Sequence, residues 1–131
     1  MTSLVHRPSS PILVVEDDRD IREVIVALLE EEGFSVVGAA NGAIALEYLR
    51  STSPLPSFIL LDLMMPIMNG HQFRAELLKV SDWASIPVAV ITADGRSDEK
   101  MASMDAVGYI RKPLELEALI ALVERFARAT R

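Results

Sequence analysis

Three stretches of this chain, "PILVV" (Pro11–Val15), "FILLD" (Phe58–Asp62) and "IPVAVIT" (Ile86–Thr92), stay apolar and largely β-branched almost to their last residue. A strand with one wet face alternates apolar and polar residues, so runs without alternation belong to strands buried on both faces. Two further runs, "FSVVGAA" (Phe34–Ala40) and "GYIRK" (Gly108–Lys112), read as less buried strands. Helical patterns fall between them. Ile21, Val24, Ile25, Leu28 and Leu29 make one stripe, and Gly33 stops it. A short helix in "NGAIALEYLR" turns Ile44, Tyr48 and Leu49 inward, and a third from Gly70 to Val80 uses Phe73, Leu77 and Val80. Met101 and Met104 mark a short fourth helix within "ADGRSDEKMASMDAVG". Pro113 opens the last helix, whose stripe is Leu116, Leu119, Ile120, Val123 and Phe126.

Five strands alternating with five helices require right-handed crossovers and a parallel sheet covered on both faces. The expected class is therefore α/β, a doubly wound five-stranded sheet. At 131 residues this is one domain. The net charge of −6 gives no general attraction to nucleic acid or an anionic membrane surface. The chain has no cysteine, which excludes disulfides, thiolate metal sites and cysteine nucleophiles. It shows neither a signal-like apolar run nor one of membrane-spanning length, so a soluble cytoplasmic protein is expected.

Open α/β sheets bind ligands at the carboxyl ends of their strands. Here those ends are Glu16-Asp17-Asp18, Asp62, Thr92 and Lys112. A carboxylate carried to the edge of a core, as at Asp62, costs several kcal/mol unless something pairs with it. Clustered carboxylates raise one another's pKa or recruit a cation. Oxygen donors without His or Cys select a hard ion, Mg²⁺ before Zn²⁺. Each residue also has an ordinary reading: acids before a helix cap it, Thr92 fits any strand, and Lys112 is a common surface charge. Asp18 is assigned to the helix cap. His6 and His71 read as surface residues, and Met64, Met65 and Met68 as packing side chains.

Four motifs at successive strand ends, "ILVVEDD", "LLDLMMPIMNG", "VITA" and "YIRKP", identify a resemblance. Over about residues 11–128 the chain resembles the receiver domains of bacterial two-component response regulators, with residues 1–10 as a flexible tail and 129–131 as a C-terminal end. The resemblance implies a flavodoxin-like sheet of strand order 2-1-3-4-5 and a cis Lys112-Pro113 bond. It also implies that Asp62 accepts a phosphoryl group from a histidine kinase or histidine phosphotransfer domain. Asp17 then matches a direct Mg²⁺ ligand, Glu16 the neighbouring acid, and the Met64 backbone carbonyl a further ligand. Lys112 matches the lysine on the phosphoryl oxygens, Thr92 the switching hydroxyl, and Tyr109 the aromatic residue that follows it.

The expected function is a stand-alone phosphoacceptor that signals by binding a downstream protein. It is not expected to be an enzyme beyond phosphorylating and hydrolysing its own Asp62. The alternative is a receiver-like interaction module that is never phosphorylated. An aspartate-nucleophile phosphatase is disfavoured because "DLMM" has no second acid two residues after Asp62. Two features depart from the family: a shortened interval from Thr92 to Lys112, and Asp105-Ala106 where Gly-Ala is usual.

Overall fold

The β-branched runs pair as they must. In the computed structural model, which describes residues 10–92 and 105–127, β1 (Ile12–Val15), β2 (Val36–Ala39), β3 (Phe58–Asp62), β4 (Val88–Thr92) and β5 (Gly108–Arg111) form one sheet. Its order is β2-β1-β3-β4-β5, and every pairing is parallel. β1, β3 and β4 are buried at every position, whereas β2 and β5 at the edges are only partly so.

The helices among the described residues are α1 (Arg19–Glu31), α2 (Gly42–Ser51), α3 (Gly70–Leu78), a single turn α4 (Ser81–Ala84) and α5 (Leu116–Ala127). They cover the sheet on two sides. Leu13, Val15, Ile59, Leu61, Val88 and Val90 pack with Leu46 and Leu49 of α2 and Phe73 and Leu77 of α3. On the other face Ile12, Val14, Phe58, Leu60 and Ile91 pack with Ile25 and Leu29 of α1 and Leu119 and Val123 of α5. Full burial of each such side chain contributes roughly 1.5–3 kcal/mol, so these two layers hold the sheet edge in place. Phe58 and Phe126 add a stacked pair with centroids 6.3 Å apart.

Three of the helices that start at the carboxyl edge are capped by a side chain just before their first residue. The carboxylate of Asp18 accepts from Ile21 N–H, and the Asn41 amide oxygen accepts from Ile44 N–H. Asn69 and Gln72 form a reciprocal capping box at α3. Such caps stabilise by ~1 kcal/mol each and fix where the strand-to-helix loops turn. Gly33 ends α1 at φ 95°, a conformation open to glycine at no steric cost.

Some helix faces differ from expectation. Val24 and Ile44 are each 50% exposed, because Ile25 and Leu29 of α1 and Ala45, Leu46 and Leu49 of α2 take the buried positions. Val80 lies outside α3: its carbonyl accepts from Trp83 and Ala84, so it caps the unforeseen α4 and stands partly exposed. The last helix begins at Leu116, not Pro113, and Leu116 itself is exposed. The expected fourth helix falls on residues 93–104, which lie outside the described residues, as do 1–9 and 128–131.

Candidate functional site

Every strand but β2 delivers a polar residue to one end of the sheet. Asp62 closes β3, Thr92 closes β4, Glu16 and Asp17 follow β1, and Lys112 follows β5. Glu16, Asp62 and Thr92 are all at most 1% exposed, while Asp17 faces solvent. One carboxylate oxygen from each of Glu16, Asp17 and Asp62 lies within 4.8 Å of the others.

Lys112 Nζ donates to Asp62 Oδ2 at 3.4 Å and makes an ion contact with Glu16 Oε1 at 3.2 Å. The other Asp62 oxygen, Oδ1, accepts from the N–H of Met64 at 3.2 Å. Glu16 Oε2 accepts from Asp18 N–H at 3.1 Å. Lys112 is itself tied to the neighbouring strand, its N–H donating to the Thr92 carbonyl at 2.8 Å. The Lys112-Pro113 bond is cis, as the resemblance implies, and so is Ser53-Pro54.

The electrostatics follow from this packing. Burial pushes the Glu16 carboxyl up to about 8, reinforced by the adjacent Asp62 carboxylate. Burial alone would lower Lys112, but the charges of Asp62 and Glu16 outweigh it and hold the ammonium above its ordinary value. Three carboxyl groups thus face one ammonium, and a divalent ion bound among them would take the place of the Glu16 proton. The donor set is oxygen only, and beyond its ion contact with Lys112 the buried Glu16 Oε1 has no hydrogen-bond partner. Glu16, Asp17 and Asp62 therefore fit Mg²⁺ or a similar hard cation.

The remaining sequence-derived residues are placed less centrally. Tyr109 lies on β5 in register with Val90, one alternate position behind Thr92 and Arg111, and is 43% exposed. Met64 is largely exposed, in keeping with a backbone role only. His71 is exposed on α3, as expected. Two contributors were not foreseen. Gly70 brings the start of α3 against the loop: its N–H donates to Leu63 O, and a Cβ there would sit 2.8 Å from Asp62 O and Leu63 Cα. Arg22 donates from Nη1 to the Glu16 carbonyl at 2.8 Å. An "NG" before a helix signals the first; nothing in the pattern signals the second.

A doubly wound parallel sheet of this strand order, with an acid cluster that could hold a metal ion and a lysine at its carboxyl edge, places the fold in the flavodoxin-like class. The family model described as the response regulator receiver domain matches residues 12–124, and the chain belongs to that family. The chain is 37% identical over 119 residues to the phosphate regulon transcriptional regulatory protein PhoB of Escherichia coli, covering 89% of this chain and 51% of PhoB. It spans about half the length of the curated relatives it matches. The Francisella response regulator 1452 receiver domain superposes with a TM-score of 0.82 at 25% identity, covering 94% of this chain and 100% of that one. Response regulator protein TrrA of Thermotoga maritima, solved in complex with Mg²⁺ and BeF, gives 0.78 at 28% identity, covering 89% and 98%.

Proposed function

We propose that Asp62 accepts a phosphoryl group from a phosphohistidine donor, a histidine kinase or histidine phosphotransfer domain. The observation that carries this reading is Lys112 Nζ held 3.4 Å from Asp62 Oδ2 beside the three clustered carboxylates. Phosphoryl transfer asks a protein for alignment and neutralisation of the equatorial oxygens. Asp62 supplies the nucleophilic carboxylate: its oxygen bonds to phosphorus as the donor P–N bond breaks, and the imidazole leaves. Lys112 and the Met64 N–H already engage the two Asp62 oxygens and are placed to follow a phosphoryl group built on one of them. Glu16, Asp17, Asp62 and the Met64 carbonyl would hold Mg²⁺, which neutralises phosphoryl oxygens when bound.

Thr92 and Tyr109 form the response. Thr92 ends the strand beside Asp62, and Tyr109 shares its sheet face on β5. A hydrogen bond from the Thr92 hydroxyl to the phosphoryl group contributes ~1.5–3 kcal/mol, short of the ~5.5 kcal/mol that moves a two-state element from 1:99 to 99:1. Binding of a downstream protein that prefers the phosphorylated form completes the change. The output is therefore phosphorylation-dependent partner binding by a stand-alone switch, with no catalysis beyond phosphorylation and hydrolysis of Asp62 itself. Among the described residues no helix is long and apolar enough to cross a membrane.

The test is treatment with a small phosphodonor and Mg²⁺ followed by intact mass measurement. Wild type gains one phosphoryl group and Asp62→Asn gains none. Equal masses before and after treatment of wild type would leave the non-phosphorylated interaction module.

A further inference from the structure

The acid pair Glu16-Asp17 stands on a loop between β1 and α1, and its direction depends on one peptide unit. Besides the first helical bond, from Arg22 N–H to Asp18 O at 2.9 Å, four hydrogen bonds hold that loop. Glu16 N–H donates to Ala39 O, Asp18 N–H to Glu16 Oε2, and Ile21 N–H to Asp18 Oδ1. The fourth comes from a side chain six residues away: Arg22 Nη1 donates to Glu16 O at 2.8 Å, the shortest of the set. That carbonyl belongs to the peptide joining Glu16 to Asp17, so fixing it fixes the plane from which the Asp17 side chain leaves.

The stem of Arg22 has its own support. Gly38 of β2 lies beneath it, and a Cβ on that glycine would meet Arg22 Cδ at 3.2 Å and Cγ at 3.3 Å. The edge strand thus leaves room for an arginine to lie flat and reach back to the loop. Neither Arg19 nor Glu23 shares this arrangement; they form a solvent-exposed pair on the same helix.

We propose that Arg22, seated on Gly38, is a positioning residue that holds the Glu16–Asp17 peptide in the geometry that binds a divalent cation. The proposal rests on the reading of Glu16, Asp17 and Asp62 as the cation site. Outer partners of metal ligands typically change affinity by roughly 10- to 100-fold when removed. The sign of the effect separates positioning from plain electrostatics. Removing a cationic side chain near three carboxylates strengthens attraction for Mg²⁺. Losing a positioning bond weakens binding instead.

The experiment is Mg²⁺ titration of the full chain, followed by amide NMR shifts of residues 16–18. The proteins are wild type, Arg22→Met, Gly38→Val, the double variant and Arg19→Met, with folding checked by circular dichroism. Arg22→Met keeps the apolar stem and is expected to bind Mg²⁺ about tenfold more weakly. Gly38→Val displaces the stem and should weaken binding in the same direction. The double variant should be no weaker than the worse single one, because both remove one bond. Arg19→Met removes the same charge and should not weaken binding. In metal-free protein the Asp17 amide should exchange faster in Arg22→Met than in wild type. Wild type that binds while Arg22→Met binds equally or more tightly overturns the role of Arg22 alone. Wild type with no Mg²⁺-dependent shift overturns the cation-site reading and this proposal with it.

Discussion

Lys112 Nζ reaches Asp62 Oδ2 at 3.4 Å across 50 residues of sequence, and it is the cation the buried carboxylates share. Lys112→Met should therefore have two effects of opposite sign. Metal-free stability should fall by about 1–3 kcal/mol. Mg²⁺ binding should tighten by about tenfold, since a competing cation has gone. Urea denaturation and metal titration of the same variant check both; weaker Mg²⁺ binding would show that Lys112 helps to build the cation site.

The Glu16 carboxyl gives a pH signature. Its pKa rises from the ordinary value of 4.5 to about 8 on folding. The folded state therefore holds a proton that the unfolded chain has released between those values. The contribution to stability is full below about 4.5 and is lost as pH rises through about 8. Without Mg²⁺, stability should fall across that window by at most one proton's worth, ~1.4 kcal/mol per pH unit. Saturating Mg²⁺ displaces the proton, so Mg²⁺ affinity should increase with pH. Glu16→Gln should flatten the metal-free profile measured by chemical denaturation.

Gly70 is fixed by contact rather than by conformation. A Cβ there meets backbone, Asp62 O and Leu63 Cα at 2.8 Å, which has no flexible end to move aside. Gly70→Ala should cost about 1–3 kcal/mol of overpacking and slow phosphorylation by shifting Asp62. Normal phosphorylation kinetics in a destabilised variant would separate the two effects and contradict the second.

Ile67 carries backbone strain beside the site. It has φ 69° with its side chain 81% exposed, and Met68 N–H closes the tight turn onto Pro66 O at 2.7 Å. A β-branched residue in that region costs about 1–2 kcal/mol, and exposure leaves little packing to offset it. Ile67→Gly should raise the denaturation midpoint, with a net gain below ~1 kcal/mol after the extra unfolded-chain entropy of glycine.

The site was legible wherever a polar side chain stood at the carboxyl end of a strand. Asp62, Thr92, Lys112 and the Glu16-Asp17 pair follow from that rule because a parallel sheet brings all its carboxyl ends to one edge. Asp18 read correctly as a cap for the same reason: its position relative to α1 is local. Arg22 was not legible, since its partner is a backbone carbonyl and an arginine on an amphipathic helix reads as solvated surface. Val24 and Ile44 misled because apolar residues outnumber the buried positions, and the small Ala45 takes the inward place beside the larger, exposed Ile44. Val80 misled because α3 stops at Leu78 and a new turn begins at once, without a break in apolar character.

The central claim is that Asp62 is the acceptor, and an acyl phosphate can be located chemically. Borohydride reduces an aspartyl phosphate to homoserine and leaves free carboxylates unchanged. Wild-type protein treated with phosphodonor and Mg²⁺, reduced and analysed by peptide tandem mass spectrometry, should carry homoserine at position 62 and at no other aspartate. Homoserine at position 17 or 18, or at none, would contradict the account.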